Sequence, residues 1–182
     1  MIISVKKIAK ALKSDSPDLL TRPTGRRFFE QAIKKLENAS TDETVICDFS
    51  GIEVIDPSFV DEFIVKLIKT SQDDKKPFYI RLKNISSVVE ENIRSVFTSY
   101  CEFAKTKFSV ITEDITKDNT HIIGITSDTE REIIEIMRIN GTMATETISK
   151  HLGLDSIDTA HILEQMHKDR LVKKDSDRYL VV

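Results

Sequence analysis

Val45-Ile-Cys-Asp-Phe-Ser-Gly-Ile-Glu-Val-Ile-Asp-Pro-Ser-Phe-Val-Asp-Glu-Phe-Ile-Val-Lys-Leu-Ile68 is the stretch that decides the fold. Val45–Phe49 is a short apolar run of the kind that forms a buried strand, and Ser50-Gly51 turns it. Asp56-Pro57-Ser58 then opens a helix whose apolar stripe is Phe59, Val60, Phe63, Ile64, Leu67 and Ile68. Asp56 suits the N-cap, because its carboxylate can accept from the unpaired amides of the first turn. Pro57 suits the first helical position, where its fixed φ fits and its missing N–H costs nothing. Ser58 is thereby presented at the positive end of the helix, where a phosphate or an acidic group of a partner is held best.

Outward from this segment, strands and helices alternate. Ile2–Val5 reads as an edge strand and Lys6–Leu12 as a short helix, with a loop over Ser14–Asp18. Gly25–Ala39 reads as a helix with Phe28, Phe29, Ala32, Ile33 and Leu36 on one face. After the helix that starts at Pro57, Ser71–Lys76 is a polar loop and Phe78–Leu82 a strand. Ser87 with Glu90 makes a capping box for a helix to about Phe97. Phe108–Ile111 is another strand, Thr112–Asn119 reads as loop, and His121–Ile125 is apolar enough for a strand. This order predicts a largely parallel sheet with helices packed on it.

The Val45–Ile68 pattern resembles the STAS domains of sulphate-transporter tails and anti-sigma-factor antagonists. In those, a strand and a short hydrophobic run lead to an Asp-Ser-Ser/Thr-Gly element that opens a helix. Ser58 falls on the second hydroxyl position, while Pro57 stands at the first and Phe59 at the glycine. The Ser58-Phe-Val-Asp-Glu62 run, with Leu20-Thr-Arg22 and Gly25 upstream, is similar to the STAS-like family of unknown function. The resemblance covers roughly residues 1–115. It implies an α/β STAS-like layered sheet and a protein-interaction surface around Ser58, Asp56 and Asp61. It also implies that Ser58 is a phosphorylation site, with a serine kinase or an anti-sigma-like regulator as partner. The residues alone leave a second reading open, in which Ser58 merely completes a helix start. Arg22, Arg26 and Arg27 surround Gly25 at a helix N-terminus. They are candidates for holding an anion or are plain solvated arginines.

Residues 127–182 form a second pattern. Ser127 caps a helix over Asp128–Asn140 that Gly141 ends. A short helix follows over Thr145–His151, then the turn Leu152-Gly-Leu154. A third helix covers Ser156–Asp169, with Ile157, Ala160, Leu163 and Met166 available for burial. Two strands flank Asp175-Ser-Asp177. Helix, short helix, glycine turn, helix and hairpin are the order of a small α+β winged helix-turn-helix. The segment resembles the transcription regulators of the MarR and ArsR families, with Arg170 where they carry glycine. Two domains are therefore expected, 1–126 and 127–182.

The resemblance implies duplex DNA as a ligand of the second domain. Its candidate contacts are Ser156, Thr159 and His161 on the third helix and Lys173, Lys174 and Arg178 in the wing. Residues 127–182 carry eight Lys/Arg against eleven Asp/Glu, and affinity for DNA comes largely from cations that neutralise phosphates. Docking of a protein, or dimerisation, therefore stays open beside DNA.

Composition bounds the rest. The chain of 182 residues is 40% hydrophobic and 31% charged with a net charge of −3, so it has no global attraction to nucleic acid or an anionic membrane. No apolar run approaches a membrane span, and Met1-Ile-Ile-Ser-Val-Lys-Lys7 lacks the form of a secretory signal, so a cytoplasmic location is expected. Cys47 and Cys101 read as buried thiols. His161 and His167 lie six residues apart on a helix and point to different sides. No phosphate loop, nucleophile elbow or metal-ligand spacing is present. The expectation is a non-enzymatic regulator without metal or cofactor: a transcription regulator, or else an adaptor in which both domains dock proteins.

Overall fold

The computed structural model describes residues 1–13, 18–37, 39–73, 77–114 and 119–182. Five strands form the main sheet in the order β1 (Ile2–Ser4), β3 (Thr44–Asp48), β5 (Tyr79–Lys83), β6 (Ser109–Asp114) and β7 (Asn119–Gly124). All neighbours run parallel except β6 and β7. β2 (Asp18–Leu19) and β4 (Val54–Ile55) make a separate two-stranded parallel ladder. The helices are α1 (Val5–Ala11), α2 (Arg22–Leu36), α3 (Pro57–Val60), a π-helical turn (Asp61–Val65), α4 (Lys66–Ser71) and α5 (Ser87–Ala104). A mixed α/β unit of STAS-like form results.

Alternation along the strands assigns the two faces of the sheet. Val45, Cys47, Ile80, Leu82, Val110 and Ile123 point into a core shared with Ile8, Phe28, Phe59, Phe63, Val89 and Phe97 of the helices. Cys47 is fully buried there, and burial pushes its thiol up to about 12. Cys101 is half-buried, and both thiols are free.

The other face is covered on one side. Tyr79, Ile111 and Ile122 belong to a second core with Ile133, Ile134, Met137, Ile148, Leu163, Met166 and Tyr179. That core is built by α6 (Asp128–Asn140), α7 (Thr145–Leu152), α8 (Ser156–Lys168) and an antiparallel sheet in the order β8 (Met143–Ala144), β10 (Arg178–Val181), β9 (Val172–Asp175). Arg81 Nε donates to the Val182 main-chain oxygen at 2.7 Å, and Arg170 Nε to the Ser71 carbonyl at 3.1 Å. The Tyr79 hydroxyl lies 3.3 Å from His167 Nδ1. Toward β1 the same face is open, and Ile2 is 66% exposed.

Several elements depart from the sequence reading. The first strand stops at Ser4, whose hydroxyl accepts from the Lys7 amide and starts α1 one residue early. α2 begins at Arg22 rather than Gly25, because Pro23 is compatible with its first turn. Ser86, not Ser87, caps α5, and Glu90 is occupied by Arg94 rather than closing a capping box. α5 runs on to Ala104, where Lys105 takes a left-handed conformation. The segment read as loop from Thr112 is strand to Asp114, antiparallel to β7. The loop read over Ser14–Asp18 falls at residues 14–17 outside the described residues, and Asp18 is in β2. Ser127 and Glu130 do form a reciprocal capping box at α6, and Gly141 ends that helix with φ 72°.

Candidate functional site

The site grows from the cap at Asp56. Its Oδ1 accepts from the Phe59 amide at 2.6 Å and from the Ser58 hydroxyl at 2.9 Å. Its Oδ2 accepts from the Thr21 amide at 2.9 Å. One carboxylate thus starts α3, fixes the Ser58 side chain and ties the chain just before α2 to the start of α3. Burial alone would raise the Asp56 carboxyl, but the hydrogen bonds from Thr21, Phe59 and Ser58 outweigh it and hold it below the usual range.

The π-helical turn follows at once. It buries four consecutive side chains, Glu62, Phe63, Ile64 and Val65, and such turns are frequent at functional sites. Glu62 is 3% exposed. It accepts from Lys66 Nζ at 2.5 Å, Arg22 Nη1 at 2.7 Å and Arg26 Nε at 3.1 Å. Arg22 Nη1 also donates to Asp61 Oδ2 at 2.7 Å, and the Tyr100 hydroxyl donates to Asp61 Oδ1 at 2.5 Å. α2 approaches closely enough for this network because residue 25 is glycine. A Cβ there would lie 2.8 Å from Glu62 Cβ and 3.2 Å from both Phe59 Cα and its carbonyl oxygen.

Arg22, Ser58, Asp61, Ser95, Ser99 and Tyr100 line one open groove of about 450 Å³ between the start of α3 and α5. Of the three arginines considered for an anion, Arg22 and Arg26 converge on Glu62, and Arg27 instead donates to the Leu12 carbonyl at 3.5 Å. Lys66 and Tyr100 were not singled out in the sequence, and Glu62 only as the end of the Ser58–Glu62 run and not as the centre of a network. The i,i+4 spacing of Glu62 and Lys66 was a readable signal; nothing local points to Tyr100, 39 residues from Asp61.

The C-terminal candidates are scattered. Ser156 and His161 are exposed on α8, and Arg178 is exposed on β10. Thr159 is fully buried, its hydroxyl donating to the Asp155 carbonyl at 2.8 Å. Lys173 Nζ donates to the Asp42 carbonyl at 3.0 Å and sits over the Tyr79 ring. Lys174 is paired with Glu164, which also accepts from the Tyr179 hydroxyl at 2.6 Å. Ile157, read as available for burial, is 69% exposed.

Residues 24–90 match the family model of the STAS-like domain of unknown function (DUF4325). No curated protein matches the chain. The STAS-like match runs from the first turn of α2 into the first turn of α5. It includes Gly25, Arg26, Asp56, Ser58, Asp61, Glu62 and Lys66, while Arg22 and Tyr100 lie outside it. Within the STAS-like unit the charges are strongly coupled. The Lys66 hydrogen bond, opposed by burial and reinforced by Arg26 and Arg22, pulls the Glu62 carboxyl down to about 2. The hydrogen bond to Asp61, helped by burial, pushes the Tyr100 hydroxyl up to about 12. The Arg22 guanidinium is raised by Glu62 and then by Asp61.

Chemically, the groove offers one hydroxyl aligned on a carboxylate, a guanidinium already held by two carboxylates, and two further serines. A phosphate on Ser58 would share the groove with Arg22, which is half exposed, and would replace the hydroxyl that donates to Asp56 Oδ1 at 2.9 Å, setting two like charges side by side. Among the described residues no group of three or more His, Cys, Asp or Glu side chains is placed to hold a metal ion. No described helix is long and apolar enough to cross a membrane.

Proposed function

We propose that the chain is a non-enzymatic regulatory protein. Its STAS-like unit receives a protein partner at the Ser58 groove, and its C-terminal unit, a winged helix-turn-helix, delivers the output. The observation that carries this reading is the shared core of Tyr79, Ile111 and Ile122 with α6, α8 and β10. That core gives a change at the sheet a contiguous packed route to the helices.

For the output we favour docking of a protein. Of the six residues considered for DNA, Thr159, Lys173 and Lys174 are engaged internally. The front of α8 offers Leu154 and Ile157 beside Asp155 and Asp158, which suits an apolar patch with a basic rim better than a phosphate backbone. The experiment is site-specific photo-crosslinking in cells from position 157 and, separately, from position 99 in the groove. Discrete protein adducts at both positions support the reading. Its failure is a chain that yields no adduct at either position.

Duplex DNA remains the second reading, supported by the order of helices and hairpin. A salt-sensitive shift of a duplex pool by the purified protein, weakened by Arg178→Glu, supports it over docking. For the groove, transfer of the γ-phosphoryl group of ATP to Ser58 Oγ by a partner serine kinase, with ADP released and the hydroxyl proton passing through Asp56, is the form of signal the geometry accommodates. Intact-mass analysis of protein from cells checks it. A chain with no phosphate in cells and none after incubation with co-encoded kinases rules this signal out and leaves only contact at the groove.

A further inference from the structure

A second cavity, of about 410 Å³, lies where the two units meet. Lys105 and Lys107, in the turn between α5 and β6, form one wall. Glu130 of the first turn of α6, with Gln165 and Asp169 at the end of α8, forms the other, and Thr126 joins them. Its volume falls in the range of sites for small molecules.

The charges around it are balanced and unpaired. Two ammonium groups face two carboxylates, yet none of the four takes part in a salt bridge among the described residues. Lys105 Nζ donates only to the Glu102 carbonyl at 2.9 Å. Asp169 accepts from Gln165 Nε2 at 3.1 Å, and Glu130 from the Ser127 amide and hydroxyl. Asp169 nevertheless senses Glu130 and Lys107. Burial raises the Asp169 carboxyl; the Gln165 amide opposes that, Glu130 adds to it, and Lys107 counters it from across the gap. Lys107 and Asp169 are near enough to interact but form no salt bridge among the described residues.

An independent mark lies on the same wall. Thr126 Oγ1 is shielded from water and, among the described residues, is the one buried side-chain oxygen or nitrogen without a hydrogen-bond partner. Such a group is costly when left unmet.

We infer that this cavity binds a small zwitterion of the amino-acid class, its ammonium between Glu130 and Asp169 and its carboxylate toward Lys105 and Lys107. An anion alone would meet the two carboxylates, and a simple amine alone would leave both lysines uncompensated. The guest would bridge α6 and α8 to the turn before β6, tightening the junction of the units. This rests on how the units pack and is independent of what α8 recognises.

The test is thermal denaturation and isothermal titration of the full chain with each of the twenty standard L-amino acids. The N-acetylated and methyl-ester forms serve as matched controls. A binder at a hundredfold excess over its Kd raises the unfolding midpoint by about 7 °C, and its blocked forms do not. Affinity falls at least about tenfold in Asp169→Asn and in Lys107→Gln, falls less in Thr126→Val, and is kept in Glu132→Gln on the exposed face of α6. If Asp169→Asn does not fold, Lys107→Gln, on an exposed turn, decides alone. The inference is overturned if no amino acid shifts the midpoint up to about 10 mM, if blocked forms bind equally, or if Lys107→Gln binds unchanged.

Discussion

Gly25 and Glu62 are the two residues on which the geometry of the Ser58 groove turns. Gly25→Ala places a methyl against Glu62 Cβ and the Phe59 backbone, so a loss of about 1–3 kcal/mol is expected in urea denaturation. Glu62→Gln leaves three cations facing a neutral amide, and a loss of about 2 kcal/mol at neutral pH is expected. The pH dependence has a definite sign. Glu62 ionises at about 2 when folded against an ordinary 4.5, so its contribution is complete above 4.5 and is lost as pH falls toward 2. The drop in urea midpoint over that window should be shallower in Glu62→Gln than in the parent; equal slopes would contradict the role given to Glu62. At this scale legibility followed distance along the chain. Asp56, Pro57 and Ser58 were readable because capping is a matter of three adjacent residues. The partners of Glu62 were not, since Arg22 lies 40 residues away and reaches it only after α2 has docked.

At the scale of elements, the order of strands and helices was readable from runs of Val, Ile and Phe, while helix faces were less so. α8 shows why. Ile157, Ala160, Leu163 and Met166 repeat every third residue, and steps of three drift around a helix of 3.6 residues per turn. Over the nine positions from 157 to 166 the drift amounts to half a turn. Ile157 consequently lies opposite Met166, and the core takes Thr159, Leu163 and Met166 instead. Ile157→Ser should leave the unfolding free energy within about 0.5 kcal/mol of the parent while abolishing photo-crosslinks from neighbouring α8 positions. A large destabilisation would mean that Ile157 is covered. β2 and β4 went unread for another reason: two-residue strands carry no periodicity, and they exist because Asp18–Leu19 passes alongside Val54–Ile55.

For the whole molecule, a largely parallel sheet with helices could be anticipated from the alternation of elements, whereas the way the C-terminal unit seats on that sheet could not. Tyr79, Ile111 and Ile122 look in the sequence like any strand residues, and only the finished register shows that they share a face. Because that face completes the second core, the two units are expected to melt together. Calorimetry should show one transition with equal calorimetric and van't Hoff enthalpies, and two resolved peaks would contradict the shared core.

The same seating limits how the chain can be cut and recombined. Residues 1–126 taken alone would carry Tyr79, Ile111 and Ile122 bare to water, a greasy strip continuing the face already open beside Ile2. Such a fragment would self-associate, so the front half is not a portable cassette. Any module grafted in place of the tail would have to bring a lid of matching shape.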